Sequence, residues 1–330
     1  MKKLLPLFIT LLLGAYSFNI KGQDFHLSQY DAAPIFLNPA LAGKFDGLYR
    51  IHGHYRTQWN AIATKPFQTA LLSFDLPVNK IGLGAQVINK RAGAGNYNVF
   101  NFSLSANYTF KIGTSHFISP GIQAGLFQKS LDFNKLYFEN QYTPVNGGTF
   151  DQSLPTGENV GSNSILLPDF TVGLLYFYGK EESRVNPFIG YTLFHLIQPT
   201  ETFLSEDNSL PMRHLIHAGI KVNITDRIQF LPKVMNMYQL NNKELAISGM
   251  IHYYLKDAGA YIIAGPTFRS KDAAIIEAGV KIGKYTARIS YDINTSSLNT
   301  YTDGRGGFEI SLTYTPRKIK PNPIKNCPRI

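Results

Sequence analysis

The sequence predicts an all-β protein: an integral outer-membrane antiparallel β-barrel of about fourteen strands. Three observations carry this reading. Apolar and uncharged polar residues alternate with period two along most of the chain. The connections between the alternating stretches are short on one side and long on the other. Beyond residue 23 there is no uninterrupted apolar run of the roughly 18 residues that a spanning helix needs.

Residues 1–22 carry Lys2 and Lys3, an apolar run from Leu4 to about Tyr16, and the small residue Gly22. This is the pattern of a secretory signal peptide. Residues 23–47 form a lead, expected in the periplasm below the barrel. Residues 48–316 are the expected transmembrane barrel, and residues 317–330 a proline-rich, basic, periplasmic tail.

The clearest strand is Val99 to Phe110. Phe100, Phe102, Leu104, Ala106, Tyr108 and Phe110 alternate there with Asn101, Ser103, Ser105, Asn107 and Thr109. Tyr285 to Asp292 and Phe308 to Thr315 repeat the pattern. Tyr49 to Gln58 and Phe67 to Leu76 open the series, and weaker versions fill the interval between Ile81 and Ile282. If the first strand runs outward, the even connections are tight, as at Pro77–Asn79, Asn223–Asp226 and Gly283–Lys284. The three long ones, Asp132–Pro168, Thr200–Leu210 and Thr295–Gly307, are all odd. A sandwich has no reason to sort its loops by side, whereas an outer-membrane barrel does. In hydrocarbon every backbone N–H and C=O must be paired, so strands cross only as a closed sheet. An even strand count then places both termini in the periplasm.

The net charge of +10 suggests nucleic acid until its location is read. Lys2, Lys3 and Lys21 lie in the leader, and Arg317, Lys318, Lys320, Lys325 and Arg329 in the tail, which leaves +2 for the body. A nucleic-acid face is not expected. Cys327 is the single cysteine, so no internal disulfide staples the chain.

The stretch LYRIHGHYRTQW, Leu48 to Trp59, sets Arg50, His52, His54 and Arg56 in one row. His52 and His54 at i, i+2 share a strand face, but a metal site needs further ligands and no cluster lies near. No metal, cofactor or catalytic set is expected, and the row reads as lumen-facing. Confined arginines require counter-charges. Closure pairs the first strand with the last, which carries Glu309, and with the second, which carries Asp75; Glu277 and Asp292 lie further round. An ion-pair network of Arg50, His52, His54, Arg56, Asp75, Glu277, Asp292 and Glu309 is therefore expected, with coupling between Arg50 and Glu309. The long loop from Asp132, rich in Gly and Asn, is a candidate for binding cargo or capping the pore.

Several motifs match a known family together and in order. Asn38, Pro39, Ala40 and Gly43 form an NPA.AG element; Tyr55, Arg56, Gln58 and Trp59 form YR.QW; Pro66, Phe67 and Thr69 open the second strand, and Asp75 and Pro77 end it. The chain thereby resembles the PorP/SprF family of type IX secretion proteins of Bacteroidetes, most densely over residues 27–77. The resemblance implies an outer-membrane accessory barrel. Its implied partners are the type IX translocon, lipid, and a large adhesin cargo with a C-terminal sorting domain, as in gliding motility. A general small-solute porin is the alternative.

Overall fold

The computed structural model describes residues 24–316, apart from 64, 94, 145–147, 159–161, 181–182 and 204–207. The expected signal peptide, the basic tail and Cys327 lie outside the described residues.

The chain enters with a short helix, α1 (Pro34–Leu37), and a 3-10 turn, Pro39–Leu41. Strands β1 (Arg50–Gln58), β2 (Phe67–Val78), β3 (Ile81–Ala92) and β4 (Tyr97–Tyr108) follow, and β5 (Phe110–Ile112) prolongs β4. After β6 (His116–Ser130), the long loop carries a small hairpin, β7 (Tyr142–Thr143) and β8 (Thr149–Phe150). The wall continues through β9 (Ser164–Tyr178), β10 (Val185–Phe194), β11 (Arg213–Asn223), β12 (Ile228–Gln239) and β13 (Asn242–Leu255). It ends with β14 (Ala260–Arg269), β15 (Ala273–Ile282), β16 (Tyr285–Asn294) and β17 (Arg305–Tyr314). Neighbours pair antiparallel around the ring, and β1 closes on β17. Leaving aside β5, β7 and β8, the staves number fourteen.

Period two now has a geometric cause. Along β4 the outward residues Phe100, Phe102 and Leu104 are exposed for lipid, while Asn101, Ser103 and Ser105 are buried inside. Tyr285, Tyr314, Tyr49 and Phe74 stand in ring-to-ring contact at the short-turn end, the position of an interfacial aromatic girdle. The longest loop is shorter than the sequence suggested. Ser164 to Leu167 extend β9 by pairing with Phe127 to Ser130 of β6, so the loop spans residues 131–163.

Two further features depart from the sequence reading. The lead is not below the barrel: residues 24–46 thread the lumen. Asp24 sits at the long-loop end, where its backbone N–H donates to Gln239 at 2.9 Å. Lys44 sits at the other end, donating to Asn107 Oδ1 at 2.8 Å. The chain then turns back into β1, and Leu48 donates to the carbonyl of Pro316 at 2.9 Å. The described ends therefore lie at opposite mouths. The second departure is that the lumen is not uniformly polar. Inward-facing Leu215, Met235 and Ala246 are buried, and Tyr30 and Leu37 of the plug pack into this group. Apolar residues line the wall where an apolar plug face covers them.

Close approach of plug to wall requires glycine at a few positions. At Gly121 of β6 an added Cβ would meet Ala40 N at 2.5 Å and Ala40 Cα at 2.7 Å. Gly43 holds φ of +71°, a conformation costly for other residues, and its N–H donates to Asp75 Oδ2 at 2.7 Å. Gly121→Leu should therefore expel the Asn38–Ala40 turn while the staves still pair. The expected outcome is a heat-modifiable barrel whose residues 24–46 become cleavable by added protease; full protection would refute the fit.

Candidate functional site

The inward face of β1 meets β2 on one side and β17 on the other, because the register sets Arg50 opposite Asp75 and Arg56 opposite Glu309. Arg50 binds Asp75 through two parallel bonds, Nε to Oδ1 at 2.9 Å and Nη2 to Oδ2 at 2.6 Å. Arg56 pairs with Glu309 across the closing seam and reaches Asp292 Oδ2 on β16 at 3.0 Å. His54 Nε2 lies 2.9 Å from Glu309 Oε2. His52 bonds Thr313 Oγ1 through Nδ1 at 2.8 Å. The two histidine rings stand 5.6 Å apart, each turned to a different partner. Glu277 pairs with Arg288, the neighbouring inward residue on β16.

These residues fall into separate groups, Arg50 with Asp75, then Arg56 and His54 with Glu309 and Asp292, then Glu277 with Arg288, and His52 bonds a threonine instead of a carboxylate. Arg50 and Glu309 are satisfied by different partners, so the direct coupling expected between them is absent from the described contacts; Arg56 is the arginine that Glu309 holds. The family-motif residues divide by role. Asn38 ties its 3-10 turn to the adjacent staves β9 and β10: its side-chain oxygen accepts from Ala40 N at 2.9 Å, and Nδ2 donates to the carbonyls of Leu174 and Tyr191 at 3.2 and 3.3 Å. Pro39 starts that turn. Tyr55 faces outward. Trp59 ends β1 and packs edge-on against Phe67 at 4.5 Å, with Pro66 in the loop between them.

Sequence reasoning missed the plug's own share. The Ser28 and Gln29 N–H groups both donate to Glu309, at 2.5 and 2.9 Å, so one carboxylate holds β1, β17 and the plug together. Ser28 Oγ donates to Asp292 at 2.7 Å. Asp31 bridges Lys233 of β12 and Arg288 of β16. Asp24 meets His195 Nε2 at 2.7 Å and Arg213 Nη1 at 3.3 Å, while His195 Nδ1 meets Asp169 at 2.8 Å. The available signal was the inward register of Arg213, Lys233, Arg269 and Arg288, more cation than the acids of adjacent staves neutralise.

At the long-loop end these charges shift titrations. Burial alone would raise the Asp24 carboxyl, but Arg213 and His195 outweigh it and hold it well below the usual carboxylate range. Burial would likewise depress His195, yet Asp24 and Asp169 raise it above its ordinary value. The contribution of a raised histidine is complete below its unfolded pKa of about 6.5 and is lost as pH rises through the folded value. That of Asp24 is present above about 3.9 and is lost as pH falls through its depressed value.

A closed fourteen-stranded barrel with aromatic girdles, lipid-facing apolar residues and a polar, plugged lumen defines an outer-membrane β-barrel protein. Its fold matches solved barrels. The Ralstonia pickettii toluene transporter TbuX superposes with a TM-score of 0.53 at 11% identity, covering 87% of this chain and 93% of that one. The P. putida toluene transporter TodX gives 0.52 at 8%, covering 85% and 92%. The CymD monoaromatic hydrocarbon channel gives 0.52 at 11%, covering 90% and 95%. These likenesses speak for fold alone. A search of curated protein sequences finds no match. The chain belongs to the PorP/SprF family of type IX secretion system membrane proteins, whose model matches residues 19–314.

Two measurements check the network. In unfolding titrations, Arg56→Met or Glu309→Gln alone should cost about 3–5 kcal/mol, because each strands a buried partner. The double variant should cost much less than the sum, whereas Arg50→Met with Glu309→Gln should be close to additive. For the second, amide exchange around Asp24 should quicken between pH 6 and pH 9 in the wild-type chain, beyond the intrinsic effect of pH on exchange, and lose that excess in His195→Asn.

Proposed function

We propose that this barrel is an accessory of type IX secretion that supports export or surface attachment of a large adhesin, and is not itself the conduit. The observation that carries this reading is the filled lumen. Residues 24–46 are clamped to the wall by Glu309, Asp292, Lys233, Arg288 and Arg213, and so occupy the lumen that a polypeptide would have to cross. Family membership supports association with the secretion machinery. Its translocon and an adhesin with a C-terminal sorting domain are the partners this reading requires, with gliding motility as one setting. The short turns face the periplasm in this reading, and the long loops face outward.

An attachment surface is available on the longest loop. Tyr137, Tyr142, Phe150 and Leu154 are exposed there, Tyr137 at 62%. Phe150 packs against both tyrosines with centroids 5.4 Å apart. Such a contiguous aromatic group outside the membrane belt is suited to protein contact. Phe133 of the same loop stands edge-on to Phe203 of the neighbouring loop, with centroids 6.3 Å apart.

The rival is a small-solute channel, as the toluene transporter and the monoaromatic hydrocarbon channel of similar fold are. Deletion of the gene followed by surface proteomics should remove one large adhesin and leave other outer-membrane proteins in place, and purified protein should give little conductance in planar bilayers. Steady porin-like conductance with an unchanged surface proteome would favour the channel. In cells, Tyr137→Ser, Tyr142→Ser and Phe150→Ser combined should lower surface-retained adhesin several-fold without altering the barrel's heat-modifiable migration.

A further inference from the structure

The outer, lipid-facing side of the barrel carries a polar groove of about 460 Å³ at the long-loop end, beside the start of β2, the end of β3 and the start of β4. Lys65, Gln68, Arg91, Asn96 and Asn98 supply its polar lining, and among the described residues no acidic side chain joins them.

Its position follows from the pleat. Lys90 faces inward, its ammonium 4.1 Å from the centre of the Phe25 ring of the plug, so Arg91, the next residue, faces out. The register sets Gln68 and Asn98 on either side of Arg91, one polar row across three staves. Four residues back along β3, roughly 13 Å toward the other mouth, the row is Leu72, Val87 and Phe102, all apolar and with Leu72 58% exposed. The groove therefore lies at the rim of the apolar band, the level of lipid headgroups.

The groups it presents are donors. Arg91 and Lys65 are exposed, and neither pairs with a carboxylate among the described residues. Lys65 Nζ donates to Asn96 Oδ1 at 3.0 Å, which occupies the amide oxygen and leaves the amide N–H groups of Asn96 to point elsewhere. Asn98 Oδ1 accepts from Asn89 Nδ2 at 2.8 Å, with the same result. Two cations and several amide N–H groups thus converge from one accessible wall with no acid to offset them. An anion with several acceptor oxygens is the complement. The guanidinium fork of an arginine takes two phosphate oxygens in parallel, and a lysine adds a point charge. A phosphate monoester suits the pair best, since it carries about −1.5 to −2 at pH 7 and three acceptor oxygens. A phosphodiester offers a single charge.

We infer that this groove binds the phosphate monoester of a glycolipid in the outer leaflet. Arg91 and Lys65 hold the phosphate, and Leu72, Val87 and Phe102 lie along the acyl chains. The inference rests on the orientation argued above, with the long loops outward, and not on the secretion role.

Full-length protein in neutral detergent is titrated with lipid A bearing a phosphate monoester, and bound lipid is counted by native mass spectrometry. The comparisons are the same lipid A after phosphatase treatment, phosphatidylglycerol, and millimolar inorganic phosphate as competitor. Saturable binding of the phosphorylated lipid is expected, with the dephosphorylated lipid and phosphatidylglycerol each about tenfold weaker and no displacement by inorganic phosphate. Arg91→Gln and Lys65→Gln should each weaken lipid A about tenfold, and Arg91→Lys should recover only part of the loss because the fork is gone. Lys243→Gln removes an exposed cation of β13, on another part of the wall, and should leave the affinity unchanged. Heat-modifiable migration confirms that each variant is folded. Equal binding of the dephosphorylated lipid or of phosphatidylglycerol, displacement by inorganic phosphate, an equal loss in Lys243→Gln, or unaltered affinity in the folded Arg91 and Lys65 variants would overturn the inference. Orientation is read separately: Ser153→Cys, at an exposed position of the longest loop, should react with a membrane-impermeant maleimide on intact cells. Absence of that labelling would overturn the assignment to the outer leaflet, whatever the lipid titrations give.

Discussion

The closing seam and the start of the plug meet at one carboxylate. Glu309 is 0% exposed and takes bonds from Arg56 and His54 of β1 and from the Ser28 and Gln29 N–H groups of the plug. It sits on β17, the strand that must find β1 to close the sheet. An isolated carboxylate in this position would carry a desolvation penalty of several kcal/mol, and four donors of which at least one is cationic offset it. The seam of the barrel and the seat of the plug are therefore stabilised by the same atoms. Asp292 acts in the same way on a smaller scale at the adjacent stave, joining Arg56, Arg269 and Ser28.

The plug in turn explains the wall. Lys233 and Arg288 face inward from β12 and β16 and find Asp31 between them; without it they would share Glu277 alone. Leu215, Met235 and Ala246 are apolar where Tyr30 and Leu37 cover them. Gly121 lacks a side chain because Ala40 occupies that space. A wall facing only water would show none of these choices. They are the complement of a particular segment, and they support reading this barrel as a closed body that interacts through its ends and loops.

The wall was legible in the sequence because its physics is local. A stave that faces lipid on one side and a polar interior on the other must alternate, and Val99 to Phe110 does so without interruption. The counter-charges for β1 were legible for the same reason, since closure fixes which strands are neighbours: Glu309 and Asp75 flank Arg56 and Arg50. What local pattern could not give was the exact partner, because a side chain a register step away is equally near in sequence. Arg50 took Asp75 and left Glu309 to Arg56. The plug was illegible for a different reason. Residues 24–46 contain a single turn of helix and a 3-10 turn, too short for periodicity, and their polar groups are spent on contacts remote in sequence, as in Ser28 with Glu309. Trp59 carried a motif in the sequence, but its place on one cavity wall with Glu244 and Asp292 exists only once β1, β13 and β16 are curled into one ring.

The glutamate that serves seam and plug alike also constrains the order of assembly. Ser28 and Glu309 are separated by 281 positions, so the first residues of the body cannot be secured until almost the last strand has arrived. Until then β1 and β17 are open edges, each an invitation to pair with another chain. The inserted segment presents donors to β17 and lies against the charges of β1. A sheet closed without it would leave Glu309 without the Ser28 and Gln29 donors, and Lys233 and Arg288 without Asp31.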